Sequence, residues 1–167
     1  GSGAAGNTNI NTGQLTIKNG AGIATSSISP ASLTTIYPNL ISSLVDEQIF
    51  NPLADAIIQT INDKLDKIPD AGDSGELSIN ANKIELIGSS SLTAATFSSG
   101  NAGNLIINAS ESVEVVGIEP NFLQPSVLTS VTLGDGNGGN LTLNTKRLVV
   151  KDGGRVDAST VANGTAG

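Results

Sequence analysis

One short phrase recurs four times along this chain and constrains it more than any other feature. It reads G-x-x-G-x-L-x-I-N: Gly3-Ala-Ala-Gly6-Asn-Thr8-Asn-Ile10-Asn11, Gly72-Asp-Ser-Gly75-Glu-Leu77-Ser-Ile79-Asn80, Gly100-Asn-Ala-Gly103-Asn-Leu105-Ile-Ile107-Asn108 and Gly136-Asn-Gly-Gly139-Asn-Leu141-Thr-Leu143-Asn144. Thr8 is the one weak match. A second alternating pair follows each copy (Leu15/Ile17, Ile84/Leu86, Val113/Val115, Leu148/Val150). A Gly turn comes next, at Gly20, Gly88, Gly117 or Gly153–Gly154. A third alternating stretch completes the unit (Ile23/Thr25, Leu92/Ala94/Thr96, Leu128/Ser130/Thr132, Val156/Ala158/Thr160). Period-two alternation between turn residues is the mark of strands, so each unit is predicted to hold three short ones.

Three narrow strands cannot bury an apolar face by themselves, whereas stacked units can. The expectation is an all-β fold: a parallel β-helix, or solenoid, of about four coils. Each strand would pair in parallel with its counterpart about 4.8 Å above. Leu, Ile and Val would point inward, with Ala94 and Ala158 where the third side narrows. An antiparallel sandwich also has short alternating strands, but it does not account for three strands in fixed order with the same turn residues. Asn11, Asn80, Asn108 and Asn144 share one template position. Asn suits turns, and stacked amides can hydrogen-bond from coil to coil, so these four are predicted to form a ladder.

The spacing shows where the repeat is interrupted. Gly75 and Gly103 are 28 positions apart, Gly103 and Gly139 are 36 apart, and Gly6 and Gly75 are 69 apart. The smaller excess is a Pro-bounded loop insertion over 118–126, in which Phe122 and Leu123 are expected to fold back on the solenoid. The larger one spans 30–71, where the apolar period changes from 2 to 3.6. Leu40, Ile41, Leu44, Val45 and Ile49 share one helical face. Leu53, Ala54, Ile57, Ile58, Ile61, Leu65 and Ile68 share another, opened by Asn51 and Pro52 as cap and first residue and closed by Pro69. A helical hairpin bulging from a single domain, 1–167, is expected. It carries six acids and two bases, hence −4 of the chain's net −7. Ile36, Tyr37, Leu40, Leu44 and Phe50 are its candidate partner contacts, because insertions on one side of a solenoid are often binding sites.

Composition excludes several functions. The chain has no His and no Cys, and only 2% of its residues are aromatic. The usual zinc, haem and iron–sulfur ligands are therefore missing, as are His-dependent catalytic triads. A pI near 4.3 disfavours nucleic acid. No stretch approaches the roughly 20 apolar residues of a membrane span, and no signal peptide opens the chain, so an internal fragment is expected. Asp73 and Asp135 are candidate calcium ligands by type, but they do not recur in tandem. Lys146, Arg147, Lys151, Asp152, Arg155 and Asp157 resemble the outer-face clusters of polysaccharide-cleaving β-helices, yet no other unit supplies matching carboxylates. No catalytic, cofactor or metal residue is assigned.

Units such as Gly100–Gly117 and Gly136–Thr160 resemble the repeats of filamentous-haemagglutinin-like exoproteins, in the form abundant in filamentous cyanobacteria. The resemblance covers residues 1–29 and 72–167. It implies a right-handed parallel β-helix and two-partner secretion of the parent protein through an outer-membrane transporter. It further implies a secreted, cell-surface location and adhesive or fibre-forming work, with an extracellular or cell-surface component, or further copies, as partners. The insertion over 30–71 departs from the family pattern, and nothing carries over to it.

Overall fold

The computed structural model describes residues 4–27, 72–97, 99–119, 124–133, 135–160 and 164–167. Eleven strands are present among them: β1 (Thr8–Asn11), β2 (Gln14–Lys18), β3 (Gly22–Ser27), β4 (Leu77–Ile87), β5 (Ser91–Thr96), β6 (Leu105–Val116), β7 (Ile118–Glu119), β8 (Gln124–Pro125), β9 (Val127–Thr132), β10 (Leu141–Lys151) and β11 (Arg155–Thr160). No helix occurs among the described residues. The helical hairpin over 30–71, with Ile36, Tyr37, Leu40, Leu44 and Phe50, lies outside them.

The fold is all-β and its two main sheets are parallel. One runs β1-β4-β6-β10, with β2 also on β4, and the other runs β11-β9-β5-β3. Pairing joins equivalent template positions: Leu77 faces Thr8 and Leu105, and Leu105 faces Leu141. In the second sheet Leu92 faces Ile23 and Leu128, and Leu128 faces Val156. Each repeat thus pairs strand for strand with the repeats on either side of it.

The first two strands of the unit are expected to be separate. They are separate only in the first copy. In the later three they fuse into β4, β6 and β10, which span 11, 12 and 11 residues. No glycine interrupts them there. Instead the register shifts between Ala81 and Lys83 and between Thr145 and Arg147, so the strand bends through a bulge and stays hydrogen-bonded. In the first copy Gly13 occupies the bend, and its carbonyl accepts from both Asn82 N and Lys83 N, at 2.9 and 3.3 Å.

Inward rows make the core. Leu77, Ile79, Ile84, Leu86, Leu92, Leu105, Ile107, Val113, Val115 and Leu128 are fully buried. The third side is finished differently, with small hydroxyls. Thr25 Oγ1 donates to Gly75 O at 2.7 Å, Ser130 Oγ to Gly103 O at 3.0 Å and Thr132 Oγ1 to Asn137 O at 2.8 Å. These hydroxyls reach turn carbonyls beyond the strands; Asn137 O also accepts from Ala102 N at 2.9 Å.

Those carbonyls belong to the glycine turns, and the stacking explains the glycines. A Cβ on Gly75 would lie 2.2 Å from Gly6 O, one on Gly103 2.0 Å from Gly75 O, and one on Gly139 2.1 Å from Gly103 O. Backbone therefore packs on backbone with no room for a side chain. Residues 164–167 continue the column. A Cβ on Gly167 would lie 2.1 Å from Gly139 O, and one on Gly164 2.0 Å from Gly136 O. Gly164-Thr165-Ala166-Gly167 is a fifth copy of the turn that the four-copy reading passes over.

Between the second and third strands the chain reverses through left-handed residues: Asn19 and Gly20 (φ 58° and 77°), Gly88 and Ser89 (64° and 62°), Asp152 and Gly153 (52° and 86°). Two successive positive φ angles favour Asn, Asp and Gly. Among the described residues of the third copy only Gly117 is left-handed (φ 93°), and the insertion begins beside it. Ile118–Glu119 pairs antiparallel with Gln124–Pro125, and Ser126 N closes the base on Gly117 O at 2.9 Å. Phe122 and Leu123 lie outside the described residues.

Candidate functional site

The bend inside the fused strands creates the most developed surface feature. Before it, Asn80, Asn108 and Asn144 end one alternating run. After it, Asn82, Ser110 and Lys146 stand on the other side. Between them lie Ala81, Ala109 and Thr145. The two rows enclose an open groove of about 580 Å³ that crosses all four repeats and begins at Asn11 and Thr12.

The Asn row is hydrogen-bonded along its length. Asn80 Nδ2 donates to Asn11 Oδ1 at 2.8 Å, Asn108 Nδ2 to Asn80 Oδ1 at 2.9 Å, and Asn144 Nδ2 to Asn108 Oδ1 at 2.8 Å. Asn11 Nδ2 turns to Asn9 Oδ1 at 3.2 Å. In-register pairing is what places four identical side chains above one another. Across the groove Ser110 Oγ donates to Asn82 Oδ1 at 3.1 Å. The floor is nearly closed, since Ala81 is 9% and Ala109 2% exposed.

An amide holds two N–H donors and two carbonyl lone pairs. The ladder uses one donor and one lone pair of Asn80 and of Asn108. It uses one donor of Asn144 and one lone pair of Asn11. The groove therefore presents hydrogen-bonding capacity of both signs, repeated once per rung, with Lys146 as the cation on its wall.

Two further polar columns occupy the glycine turns, and the template reading missed both. Asp73 Oδ1 accepts from Asn101 N at 2.7 Å, Asn101 Oδ1 from Asn137 N at 2.9 Å, and Asn137 Oδ1 from Thr165 N at 3.1 Å. Beside it, Asn7 Oδ1 accepts from Glu76 N at 2.9 Å and Asn104 Oδ1 from Asn140 N at 3.1 Å. The available signal was the Asn or Asp directly after Gly6, Gly72, Gly100, Gly103, Gly136 and Gly139. Asp73, a candidate calcium ligand by type, is engaged by this column. No group of three or more acidic ligands gathers among the described residues.

The face beyond the groove is ionic and internally paired. Lys83 Nζ lies 2.9 Å from Glu85 and 3.9 Å from Glu114, and Arg147 lies 2.9 Å from Glu114. Gln14 Nε2 and Thr16 Oγ1 also donate to Glu85, at 2.9 and 3.1 Å. The hydrogen bond from Lys83, helped by those from Gln14 and Thr16, holds the Glu85 carboxyl below its ordinary value, while the same bond raises Lys83. The cluster around Lys146–Asp157 is divided. Arg147 joins this network, Arg155 pairs with Asp157 at 2.7 Å, and Thr129 Oγ1 donates to Asp157 at 2.5 Å. Lys146 stands in the groove wall, and Lys151 and Asp152 are exposed.

Chemically the groove is suited to holding a polar ligand by many equivalent hydrogen bonds. Compared with protein-family models, curated proteins and solved structures, the chain matches none.

Proposed function

We propose that the chain is a stretch of parallel β-helix, one coil per repeat, serving as a rigid, non-catalytic rod within a large secreted adhesin or filamentous exoprotein at the cell surface. Residues 30–71 form the projection that this rod displays toward an extracellular or cell-surface component. The parent protein leaves the cell through an outer-membrane transporter, as the filamentous-haemagglutinin-like resemblance implies. The observation that carries the reading is the pairing of equivalent template positions in both sheets across successive repeats. A rod is what such pairing makes when it continues, because each unit adds the same rise.

The test is a comparison of the intact chain with one in which residues 31–70 are replaced by a short Gly-Ser link. Surface binding that disappears while the β-rich circular dichroism spectrum persists fits a display rod. Surface binding unchanged by the deletion contradicts the role given to the insertion.

A second reading is a self-assembling fibre or sheath subunit, because the in-register parallel pairing that joins one repeat to the next can equally join one copy to another. Light scattering over a wide concentration range separates the two readings: growth in length supports the fibre, and a constant monomer mass opposes it.

A further inference from the structure

We infer that the groove over the asparagine ladder is a linear binding site for an extended, uncharged polysaccharide, with about one sugar residue per rung. The inference rests on the stacked repeats alone, so it can fail while the displayed insertion stands, and the reverse.

The groove's chemistry narrows the ligand. After the ladder is formed, Asn80 and Asn108 each retain one N–H and one carbonyl lone pair. A sugar hydroxyl both donates and accepts, so one amide per rung matches one hydroxyl-bearing unit per rung. On the opposite wall Ser110 gives its one proton to Asn82, so Ser110 offers acceptor lone pairs and Asn82 its amide N–H groups. The walls hold a single cation, Lys146, on a chain of net charge −7, so a polyanion is opposed by the field of the whole molecule. An apolar ligand is opposed too, since the alanine floor is nearly closed.

Geometry narrows it further. Successive rungs are about 4.8 Å apart, close to the length of one pyranose in an extended β-linked chain. A peptide strand advances about 3.3 Å per residue and would fall out of step within two rungs. The groove is open and crosses four repeats, so the ligand can be longer than the site. The groove is lined by no aromatic ring on which a sugar could stack. Binding must therefore accumulate from many weak contacts, and its strength must depend on ligand length.

The experiment uses the whole chain, labelled with nitrogen-15, titrated with cello- and manno-oligosaccharides of one to six sugars and with oligogalacturonate as the acidic control. The side-chain amide signals of Asn80, Asn108 and Asn144 should move with the neutral oligomers. Affinity should rise with length to about four sugars and then level off, and oligogalacturonate should bind more weakly. Ser110→Tyr, which places a ring in the groove mouth, should weaken binding tenfold or more with the thermal midpoint unchanged. Asn82→Tyr is the second blocking variant, should the first not fold. Amide signals that stay still with both neutral series would overturn the proposal. So would affinity indifferent to length, tighter binding of the acidic oligomer, or undiminished binding in a folded blocking variant.

Discussion

The third and fourth repeats share a template, yet they are covered very differently. In β6, Leu105, Ile107, Val113 and Val115 are fully buried. On β10 the residues paired with Val113 and Val115, namely Leu148 and Val150, are 44% and 42% exposed. The polar parts differ in the same way. Thr132 Oγ1 reaches the carbonyl of Asn137, while Thr160 Oγ1, at the equivalent position, is covered without a hydrogen-bond partner among the described residues. Burial in this fold is thus a property of neighbours. A repeat gains its core when a second repeat lies on each side of it, the behaviour of a nearest-neighbour array.

That contrast can be broken most sharply at the glycine column. Gly103→Ala puts a methyl 2.0 Å from Gly75 O, whereas Gly6→Ala meets nothing within 4 Å. Urea unfolding should show a loss of about 3–5 kcal/mol for the first and under about 0.5 kcal/mol for the second. Equal losses would mean that backbone contact between turns is not what demands glycine. Apolar truncation comes next. Ile107→Ala should cost about 2–5 kcal/mol by leaving a cavity between two repeats. Val150→Ala, at a site already half open, should cost under about 1 kcal/mol.

The ladder sharpens the comparison at smaller scale. Asn108 makes two of its bonds and Asn144 one. Asn108→Ala should therefore lose about 1–3 kcal/mol and Asn144→Ala about half as much, read from the same urea midpoints. The smallest effect is electrostatic and belongs to the inner repeats. Glu85 is held below its ordinary carboxyl value, so its contribution is present above about pH 4.5 and is lost as pH falls through the lowered folded value. Lys83 is raised above its ordinary 10.5, so its contribution holds below that pH and is lost as pH rises through the raised folded value. Glu85→Gln should lower stability slightly at neutral pH, where the ionised carboxylate contributes, and leave the acid end almost unchanged, so that the acid limb of the stability profile flattens.

Much of the parallel all-β arrangement was legible because a template with fixed internal spacing carries its own register. Once Gly75 and Gly103 are matched, Leu77–Leu105 and Ile79–Ile107 follow. What was not legible depends on the neighbouring repeat. The fused strands were missed because the bend at Ala81–Lys83 is made by a bulge and by the carbonyl of Gly13, with no glycine of its own to mark it. The Asp73–Asn101–Asn137 column was missed because each side chain bonds a backbone N–H 28 or 36 residues away. The groove was missed for a related reason. The Asn row is one of its walls, but the other, Asn82, Ser110 and Lys146, has no common residue type. Ile36, Tyr37, Leu40, Leu44 and Phe50 stand outside this comparison.

The most direct test of in-register parallel stacking is a pair of double-cysteine variants in this cysteine-free chain. Ser78 and Ile106 are register partners on β4 and β6, and both side chains stand on the outward row. Parallel stacking predicts that Ser78→Cys with Ile106→Cys forms an intramolecular disulfide under mild oxidation, because in-register partners lie within disulfide range. Ser78→Cys with Val116→Cys should stay reduced. Faster closure of the Val116 pair would mean that the two strands run antiparallel, and the stacked-repeat account would be wrong.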